Sequence, residues 1–392
     1  MSTTERLAGR QVLVTGASGF IGARLAERLV VECGAEVRVL VRRVGRAAPL
    51  SRLPVEIAVG DVRDPASLAA ATRGCEFVFH CVRGIDGSER DRREIDVEGT
   101  RNLLEASAAS GETQRFVHTS TVVVYDVPAA GELDELAPRG GAPDPYADAK
   151  RAGEDVARSY ASRVPVTIVQ PTVVYGPQAG VYGREILEEL RTTRIPLING
   201  GTGICNAVYV DDLVTAMMLA ATSERAVGES FLISGAEHPT WAEFFGGFER
   251  MLGVSHTVPL SADEALAAWK SASRRAWLVP QTLRAIRGDA LLRDELLSTR
   301  EGVLIRRLAE RLLPAAFFAP ERWNDRSDPA ERASEELPLA PFKPQVIDFL
   351  SSTAKVRIDK ARELLGYAPA FGLADGLRLT EAWARWEGLL EA

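Results

Sequence analysis

The chain has 392 residues, more than one ordinary domain needs, so two domains or one large α/β domain with a cap are expected. Its net charge of −7 argues against a nucleic-acid-binding surface, and 46% apolar residues are ordinary for a globular core. The four cysteines have neither CxxC spacing nor a histidine cluster, so no metal site is expected. Without an apolar signal segment or a long apolar run, a cytoplasmic location is expected.

A glycine-rich turn follows the first predicted strand. The apolar run Val12–Val14 is typical of a buried strand, and apolar residues at helical spacing predict a helix over Ala23–Val31. Glycines in such a turn let the backbone approach a pyrophosphate, which then lies at the helix N-terminus. The predicted cofactor-binding residues of this turn are Gly16, Ser18, Gly19, Phe20, Ile21 and Gly22.

The spacing of these glycines resembles that of the short-chain dehydrogenase/reductase superfamily. Thr15–Gly22 has the pattern Thr-Gly-x-x-Gly-Phe-x-Gly, which is similar to the extended, epimerase/dehydratase-like branch. The resemblance covers about residues 10–255 and 350–390. It implies an α/β fold: a doubly wound parallel sheet (Rossmann) that binds NAD(P), with a smaller, discontinuous α+β substrate domain.

Two arginines end the second predicted strand, Glu36–Val41. An NAD-selective site usually has an acid about twenty residues after the glycine turn to hold the ribose 2′-hydroxyl. Arg42 and Arg43 stand there instead, and guanidinium groups suit a 2′-phosphate. The sequence therefore favours NADP, with NAD as the alternative; a solvated basic loop is the other interpretation.

The resemblance implies further cofactor contacts. Asp61, followed by Val62, would accept a hydrogen bond from the adenine, and Asp64 is the better candidate to cap the next helix. The predicted fourth strand runs through His80, a packed core histidine, toward the ribose and nicotinamide. The remaining residues implied on the nicotinamide side are Cys81, Thr119, Pro171 and Val173.

A tyrosine and a lysine four residues apart carry the predicted chemistry. Tyr146 and Lys150 would share one helix face, and Thr121 lies within a predicted fifth strand, Arg115–Tyr125. A free phenol loses its proton at about pH 10, and a nearby ammonium favours the phenolate. In the family Tyr146 would exchange a proton with the substrate oxygen, Thr121 would orient that oxygen, and Lys150 would also hold the nicotinamide ribose.

Three departures from family patterns bear on the activity. Val122 and Val123 follow Thr121 where sugar-nucleotide dehydratases of the superfamily have an acidic pair, so dehydration is disfavoured. Asp96 stands where the family usually has asparagine, and Gln170 stands where it usually has arginine. The resemblance implies a role in the proton relay for the residue at 96, whereas the sequence alone gives the change at 170 no role.

The resemblance also divides the chain. Residues 8–174 and 206–234 are expected to form the dinucleotide-binding domain, and 175–205 with 235–392 the substrate domain. An enlarged insertion at about 255–350 is predicted to contain helices at 263–273, 281–292 and 302–313 and a loop at 325–336. A substrate cap or dimer surface is the favoured interpretation, an arginine-lined anion site comes next, and membrane contact by 270–320 is third.

These observations predict an enzyme that transfers hydride at a secondary alcohol or ketone, with a nucleotide sugar as the first substrate class and a homodimer as the expected assembly. The alternatives are a nucleotide-sugar epimerase that retains NAD, which Arg42 and Arg43 argue against, and a reductase of a steroid-like or other ketone. A non-catalytic NADP sensor ranks last, because such sensors usually lose the tyrosine or the lysine.

Overall fold

A parallel sheet forms the core of the computed structural model, which describes residues 2–84, 89–141, 143–277 and 337–390. The strands in chain order are β1 (Gln11–Thr15), β2 (Glu36–Val41), β3 (Glu56–Val59), β4 (Phe77–His80), β5 (Arg115–Thr119), β6 (Glu132–Leu133), β7 (Val166–Pro171), β8 (Val173–Tyr175), β9 (Ile195–Ile198), β10 (Ala207–Tyr209), β11 (Ser230–Ile233), β12 (Thr257–Leu260) and β13 (Lys355–Val356).

Helices surround this sheet. The α-helices of the described residues are α1 (Thr3–Leu7), α2 (Phe20–Val31), α3 (Pro65–Thr72), α4 (Glu89–Arg93), α5 (Gly99–Ser110), α6 (Pro145–Ser159), α7 (Glu185–Thr192), α8 (Val210–Thr222), α9 (Trp241–Leu252), α10 (Ala262–Trp277), α11 (Pro344–Ser351), α12 (Asp359–Leu365) and α13 (Leu373–Trp386). A short π-helical segment, Glu94–Glu98, joins α4 to α5.

Seven of the described strands form one parallel sheet in the order β11-β7-β5-β4-β1-β2-β3. The chain extends the sheet from β1 through β2 to β3 and then places β4 on the other side of β1. In open parallel sheets, ligands bind beyond the carboxyl ends of the strands at such a reversal. The topology confirms the predicted doubly wound fold and directs attention to the ends of β1 and β4.

Alternate residues of β1 pack into different cores, as the two-residue period of a strand requires. Val12 and Val14 join a cluster that includes Leu25 of α2, whereas Leu13 joins one that includes Leu103 of α5. Both faces of the sheet are therefore covered by helices. This explains why the central strands are continuous apolar runs rather than alternating ones.

The fifth strand is shorter than the predicted span of Arg115–Tyr125. β5 ends at Thr119, and Thr121 caps a 3₁₀ turn, Val122–Val124, with its side-chain oxygen accepting from Val123 N. A threonine hydroxyl that accepts a hydrogen bond from a nearby backbone N–H competes with strand pairing, which accounts for the early end of β5. The predicted cap of α3 is confirmed, since Asp64 accepts from Ala66 N; at the start of α9, Thr240 forms a capping box with Glu243.

Three strand pairs lie outside the main sheet: β8 with β10, β9 with β12, and β6 with β13. Aromatic side chains of α9 form the buried packing next to them; Trp241 and Phe244 lie 5.8 Å apart between ring centroids, and Tyr182 stacks near both. The chain returns to this region through α11, β13 and α12 after the long insertion. The domain boundaries given above remain a prediction.

Several predictions about the insertion lie outside the described residues. These are the helices at 281–292 and 302–313, the loop at 325–336, and most of the 270–320 segment considered for membrane contact. The predicted helix at 263–273 is confirmed as part of α10. No helix in the described part of the chain is long and apolar enough to cross a membrane.

Gly22 provides a test of the close packing between β1 and α2. A Cβ at this position would collide with the Gly16 carbonyl oxygen, which is backbone and cannot move aside cheaply. We expect Gly22→Ala to lower the free energy of unfolding by about 1–3 kcal/mol, as measured by denaturant titration. Gly246→Ala is the matched control, because Gly246 is also helical and only the Arg250 side chain approaches it. Equal effects of the two substitutions would contradict the prediction.

Candidate active site

The glycine turn lies at the carboxyl end of β1, where the sheet order reverses. Gly16 has φ +73°, and a Cβ there would lie 2.7 Å from the carbonyl carbon of Cys81 at the end of β4. Gly19 begins α2 without a side-chain cap. The turn therefore presents an uncapped helix N-terminus to the crevice, which is the geometry that binds a pyrophosphate.

The other predicted residues of the turn line its open side. Ser18 and Gly19 are exposed, and Phe20 and Ile21 are half-buried. Gly22 is buried against the Gly16 backbone. The glycines at 16 and 22 are thus required by packing, whereas Gly19 leaves room on the side that faces the crevice.

Asp61 and Val62, which are predicted to contact the adenine, lie after β3. The guanidinium of Arg63 donates to both carboxylate oxygens of Asp61, at 3.0 and 2.7 Å, and these bonds lower the pKa of Asp61 below its usual value. Val62 is buried, and its carbonyl oxygen accepts from Asn102 Nδ2 at 3.1 Å. Asp61 is therefore ionised and acts only as an acceptor, as a bond from an adenine amino group requires.

Arg42 and Arg43 follow β2 and are exposed. Besides Arg63, the charge of Arg42 also lowers the pKa of Asp61, so Arg42 is near enough to act on this carboxylate. Within the described residues, no acid forms an ion pair with Arg42 or Arg43. Two uncompensated cations therefore stand beside the adenosine end of the crevice.

Four predicted residues stand at the ends of β4, β5 and β7. Thr119 Oγ1 lies 3.6 Å from Cys81 Sγ, and burial raises the pKa of that thiol to about 11. Pro171 and Val173 are buried where β7 passes into β8. The structure thus brings Cys81 and Thr119 into contact and places Pro171 at the end of the neighbouring strand β7 and Val173 at the start of β8.

The first two turns of α6 carry the predicted catalytic pair. Asp144 caps this helix by accepting from Tyr146 N and Ala147 N, at 2.9 and 2.8 Å, which fixes where the tyrosine stands. Tyr146 is half-buried, whereas Lys150 is 4% exposed and donates to the Thr119 carbonyl oxygen at 3.3 Å. The turn that follows Thr121 packs against α6, so Thr121 lies at the same end of the sheet as the helix that carries the pair.

Two further functional candidates lie next to this pair, and only one of them, Asp96, was singled out by the sequence. Asp96 Oδ1 lies 3.5 Å from Lys150 Nζ, and the only sequence signal was its departure from the family asparagine. Arg83, for which there was no signal, lies with its guanidinium carbon 5.7 Å from the Tyr146 ring centroid. Burial raises the pKa of Tyr182, whose ring lies 6.3 Å from that of Trp241 and 6.4 Å from that of Phe244, between centroids.

Gln170 takes part in a buried polar network behind the site. Its Oε1 accepts from Tyr125 at 2.9 Å, and its Nε2 donates to the fully buried Glu154 at 2.7 Å. Arg158 and Arg139 pair with the other carboxylate oxygen of Glu154, at 2.9 and 3.2 Å. Because Glu154 is two turns beyond Tyr146 on α6, this network holds the catalytic helix against β7.

The residues present fit a dinucleotide cofactor. The uncapped helix N-terminus suits a pyrophosphate, the ionised Asp61 suits an adenine amino group, and the Tyr146–Lys150 pair lies at the far end of the same crevice. A nicotinamide ring held there would supply or accept the hydride. The side chains at that end offer a proton donor and a buried cation, which suits oxidation and reduction of a carbon–oxygen bond.

Comparisons with known proteins agree with this geometry. The chain is 32% identical to sterol demethylase protein B of Methylococcus capsulatus, over 62% of this chain and 74% of the relative. It is 26% identical to 2-alkyl-3-oxoalkanoate reductase of Stenotrophomonas maltophilia, over 95% and 98%. A dTDP-glucose 4,6-dehydratase from Streptomyces venezuelae, solved with NAD, shares the fold with a TM-score of 0.66 at 22% identity, over 97% and 99%.

A family model described as the NAD dependent epimerase/dehydratase family matches residues 12–234, which is more than half of the chain. Members and relatives of this family include reductases, dehydratases and epimerases that depend on NAD. The chain is therefore an enzyme that belongs to the NAD-dependent epimerase/dehydratase family, within the extended short-chain dehydrogenase/reductases.

Proposed function

We propose that this enzyme interconverts a ketone and a secondary alcohol by hydride transfer, using NADP(H). The observation that carries the proposal is the contact of Lys150, on the helix that bears Tyr146, with the Thr119 carbonyl oxygen at the end of β5, two residues before Thr121. Tyr146 exchanges a proton with the substrate oxygen, and Thr121 orients that oxygen by a hydrogen bond. Lys150 supplies the positive charge that stabilises the phenolate and holds the nicotinamide ribose.

Dehydration and epimerisation fit less well. The two residues after Thr121 are valines; Val122 is buried, and Val123 donates its backbone N–H to Thr121 Oγ1. Neither side chain carries a proton that it could donate to a leaving hydroxyl. An epimerase retains its NAD through turnover, whereas a reductase exchanges its cofactor. Denaturing the freshly purified protein and identifying the released nucleotide separates the two: stoichiometric NAD would contradict the proposal and indicate an epimerase.

The cofactor is proposed to lie along the crevice with its pyrophosphate on the turn from Gly16 to Gly22 and its adenine at Asp61 and Val62. The nicotinamide is proposed to lie against Cys81, Thr119, Pro171 and Val173. Arg42 and Arg43 would hold the 2′-phosphate, because they are the exposed cations next to the adenosine end. A homodimer is proposed as the assembly.

The NADP preference is tested by Arg42→Ala with Arg43→Ala. Each charge-assisted contact to the 2′-phosphate is worth about 1.5–3 kcal/mol, so we expect NADPH binding to weaken at least about tenfold, while NADH binding changes less than about twofold. Both affinities are measured by fluorescence titration. Arg46→Ala is the control, since Arg46 is an exposed cation of the same loop. Parallel changes for both nucleotides would show that the arginines are only a solvated loop.

For the substrate we propose a ketone with a carboxylate close to the carbonyl, in place of the nucleotide sugar expected first. Arg83 stands over the ring of Tyr146, and no acid in the described residues forms an ion pair with it, so its charge is available to a substrate anion. A relative that matches nearly the whole chain is named for reducing 2-alkyl-3-oxoalkanoates. Such a substrate has its carboxylate two carbons from the reacting carbonyl, within reach of the guanidinium.

Arg83→Gln tests this substrate class with 2-methyl-3-oxooctanoate and its neutral methyl ester. We expect the substitution to raise KM for the acid about tenfold or more and to leave KM for the ester within about twofold, because only the acid loses a charged contact. For Arg83→Lys, we expect KM for the acid to lie between the values of the parent and of Arg83→Gln. Arg90→Gln, which removes a highly exposed cation of α4, is the control. Equal losses on acid and ester, or turnover of UDP-glucose instead of both, would contradict the assignment.

Tyr146→Phe tests the chemical step. Loss of the proton donor is expected to lower kcat for 2-methyl-3-oxooctanoate by about 10²–10⁴-fold, while NADPH affinity is kept. Initial rates are followed through NADPH absorbance, and affinity through fluorescence. Tyr160→Phe is the matched control, because Tyr160 ends the same helix but bonds to Glu105. A fully active Tyr146→Phe variant would overturn the catalytic assignment.

A further inference from the structure

A buried carboxylate stands beside the lysine of the catalytic pair. We propose that Asp96 is a positioning residue: as the counter-ion of Lys150, it sets the pH at which Tyr146 takes up and releases its proton. The inference rests on the hydride-transfer role proposed above for Tyr146 and Lys150. It is a role that the neutral asparagine of the family pattern could not perform at this position.

The carboxylate of Asp96 is fixed from two sides. Its Oδ1 lies 3.5 Å from Lys150 Nζ, and its two oxygens lie 3.3 and 3.2 Å from Gly84 N. The side chains of Asp96 and Lys150 are 1% and 5% exposed, so solvent ions screen the pair little. Gly153 permits this approach of α6, because a Cβ there would lie 2.9 Å from the Asp96 carbonyl oxygen.

The groups that face the pair from the sheet carry no charge. From β4, burial lowers the pKa of His80 to about 3 and raises that of Cys81 to about 11. From β5, burial lowers the pKa of His118 well below its usual value. All three side chains are therefore neutral near pH 7, so the electrostatic field at Tyr146 comes from the charged groups around it.

Those charged groups come from α6, the segment before α5, and the loop after β4. Lys150 and Asp96 form the buried pair, and Arg83 lies over the Tyr146 ring. Arg92 of α4 lies beside Gly84, where an added Cβ would be 3.3 Å from Arg92 Cγ. Among the described residues no second carboxylate forms an ion pair with Lys150, so Asp96 alone offsets its charge.

The direction of the effect follows from Coulomb's law. A lone ammonium strongly favours the phenolate, whereas an ammonium with a carboxylate beside it does so less, because the two fields partly cancel. Removing the Asp96 charge should make both Tyr146 and Lys150 release their protons at lower pH. Oxidation, which needs the phenolate, would then begin at lower pH, and reduction, which needs the phenol, would fail at lower pH.

The test is an optical titration that needs no substrate. The near-ultraviolet tyrosinate absorbance of the full chain minus that of Tyr146→Phe gives the titration of Tyr146 alone. The same difference in the Asp96→Asn background is expected to show a midpoint about one pH unit lower. An unchanged or higher midpoint overturns the proposal. Because no substrate is used, this result stands apart from any failure of the proposed function, which the Tyr146→Phe rates decide.

Asp148→Asn is the matched control for loss of an acid near Tyr146. Asp148 lies on the same helix, but its side chain is 57% exposed and pairs with Arg151. We expect the titration midpoint of Tyr146 in Asp148→Asn to differ from that in the parent by less than about 0.3 pH units, since solvent screens exposed charges. A shift as large as that of Asp96→Asn would show a general charge effect and would count against a specific role for Asp96.

A second comparison tests the Asp96 charge in a background that lacks the Lys150 charge; the double variant in it replaces both members of the buried pair and leaves no unpaired charge. Lys150→Met alone leaves Asp96 to oppose the phenolate, so the Tyr146 midpoint should rise. Lys150→Met with Asp96→Asn should have a midpoint about one pH unit below that of Lys150→Met. Identical midpoints in the two variants would overturn the proposal.

Discussion

A buried ammonium group has to be paired, and this requirement fixes the catalytic half of the fold. Lys150 is 4% exposed, and its partners are the Thr119 carbonyl oxygen at the end of β5 and the Asp96 carboxylate before α5. Removing one member of a buried ion pair typically costs about 3–5 kcal/mol. The end of β5, the segment before α5 and the helix that carries Tyr146 are therefore held in one arrangement.

Hydrogen bonds also connect the segment that carries Asp96 to the glycine turn after β1. The Thr100 hydroxyl donates to the Asp96 carbonyl oxygen at 2.7 Å and so accepts from His80 Nε2 at 3.1 Å. His80 Nδ1 is then the acceptor for the Thr15 hydroxyl at 2.7 Å, directly before Gly16. The interpretation of His80 as a packed core histidine holds, but this histidine also joins β1 to the segment that positions Asp96.

The sequence predicts the sheet well because its signals are local. The apolar runs of the strands, the glycine spacing and the Tyr146–Lys150 interval each depend on residues a few positions apart, and the structure brings them to one edge. The 3₁₀ turn at Thr121 was missed because a side-chain bond to Val123 N competes with strand pairing, which periodicity does not register. Arg83 and the pairing of Asp96 with Lys150 were missed because the partners are distant in the chain, so neither contact appears before the fold is known.

Two of the departures from family patterns, at positions 96 and 170, each make the buried charge beside α6 more negative. Aspartate for asparagine at 96 adds a negative charge next to Lys150, and glutamine for arginine at 170 leaves out a positive one next to Glu154. Arg158 and Arg139 meet the charge of Glu154, so the second change leaves no buried carboxylate unpaired. A third cation at 170 would add desolvation cost without a further partner, whereas Gln170 satisfies both Glu154 and Tyr125. The helix is therefore held by compensated pairs at two successive turns after Tyr146.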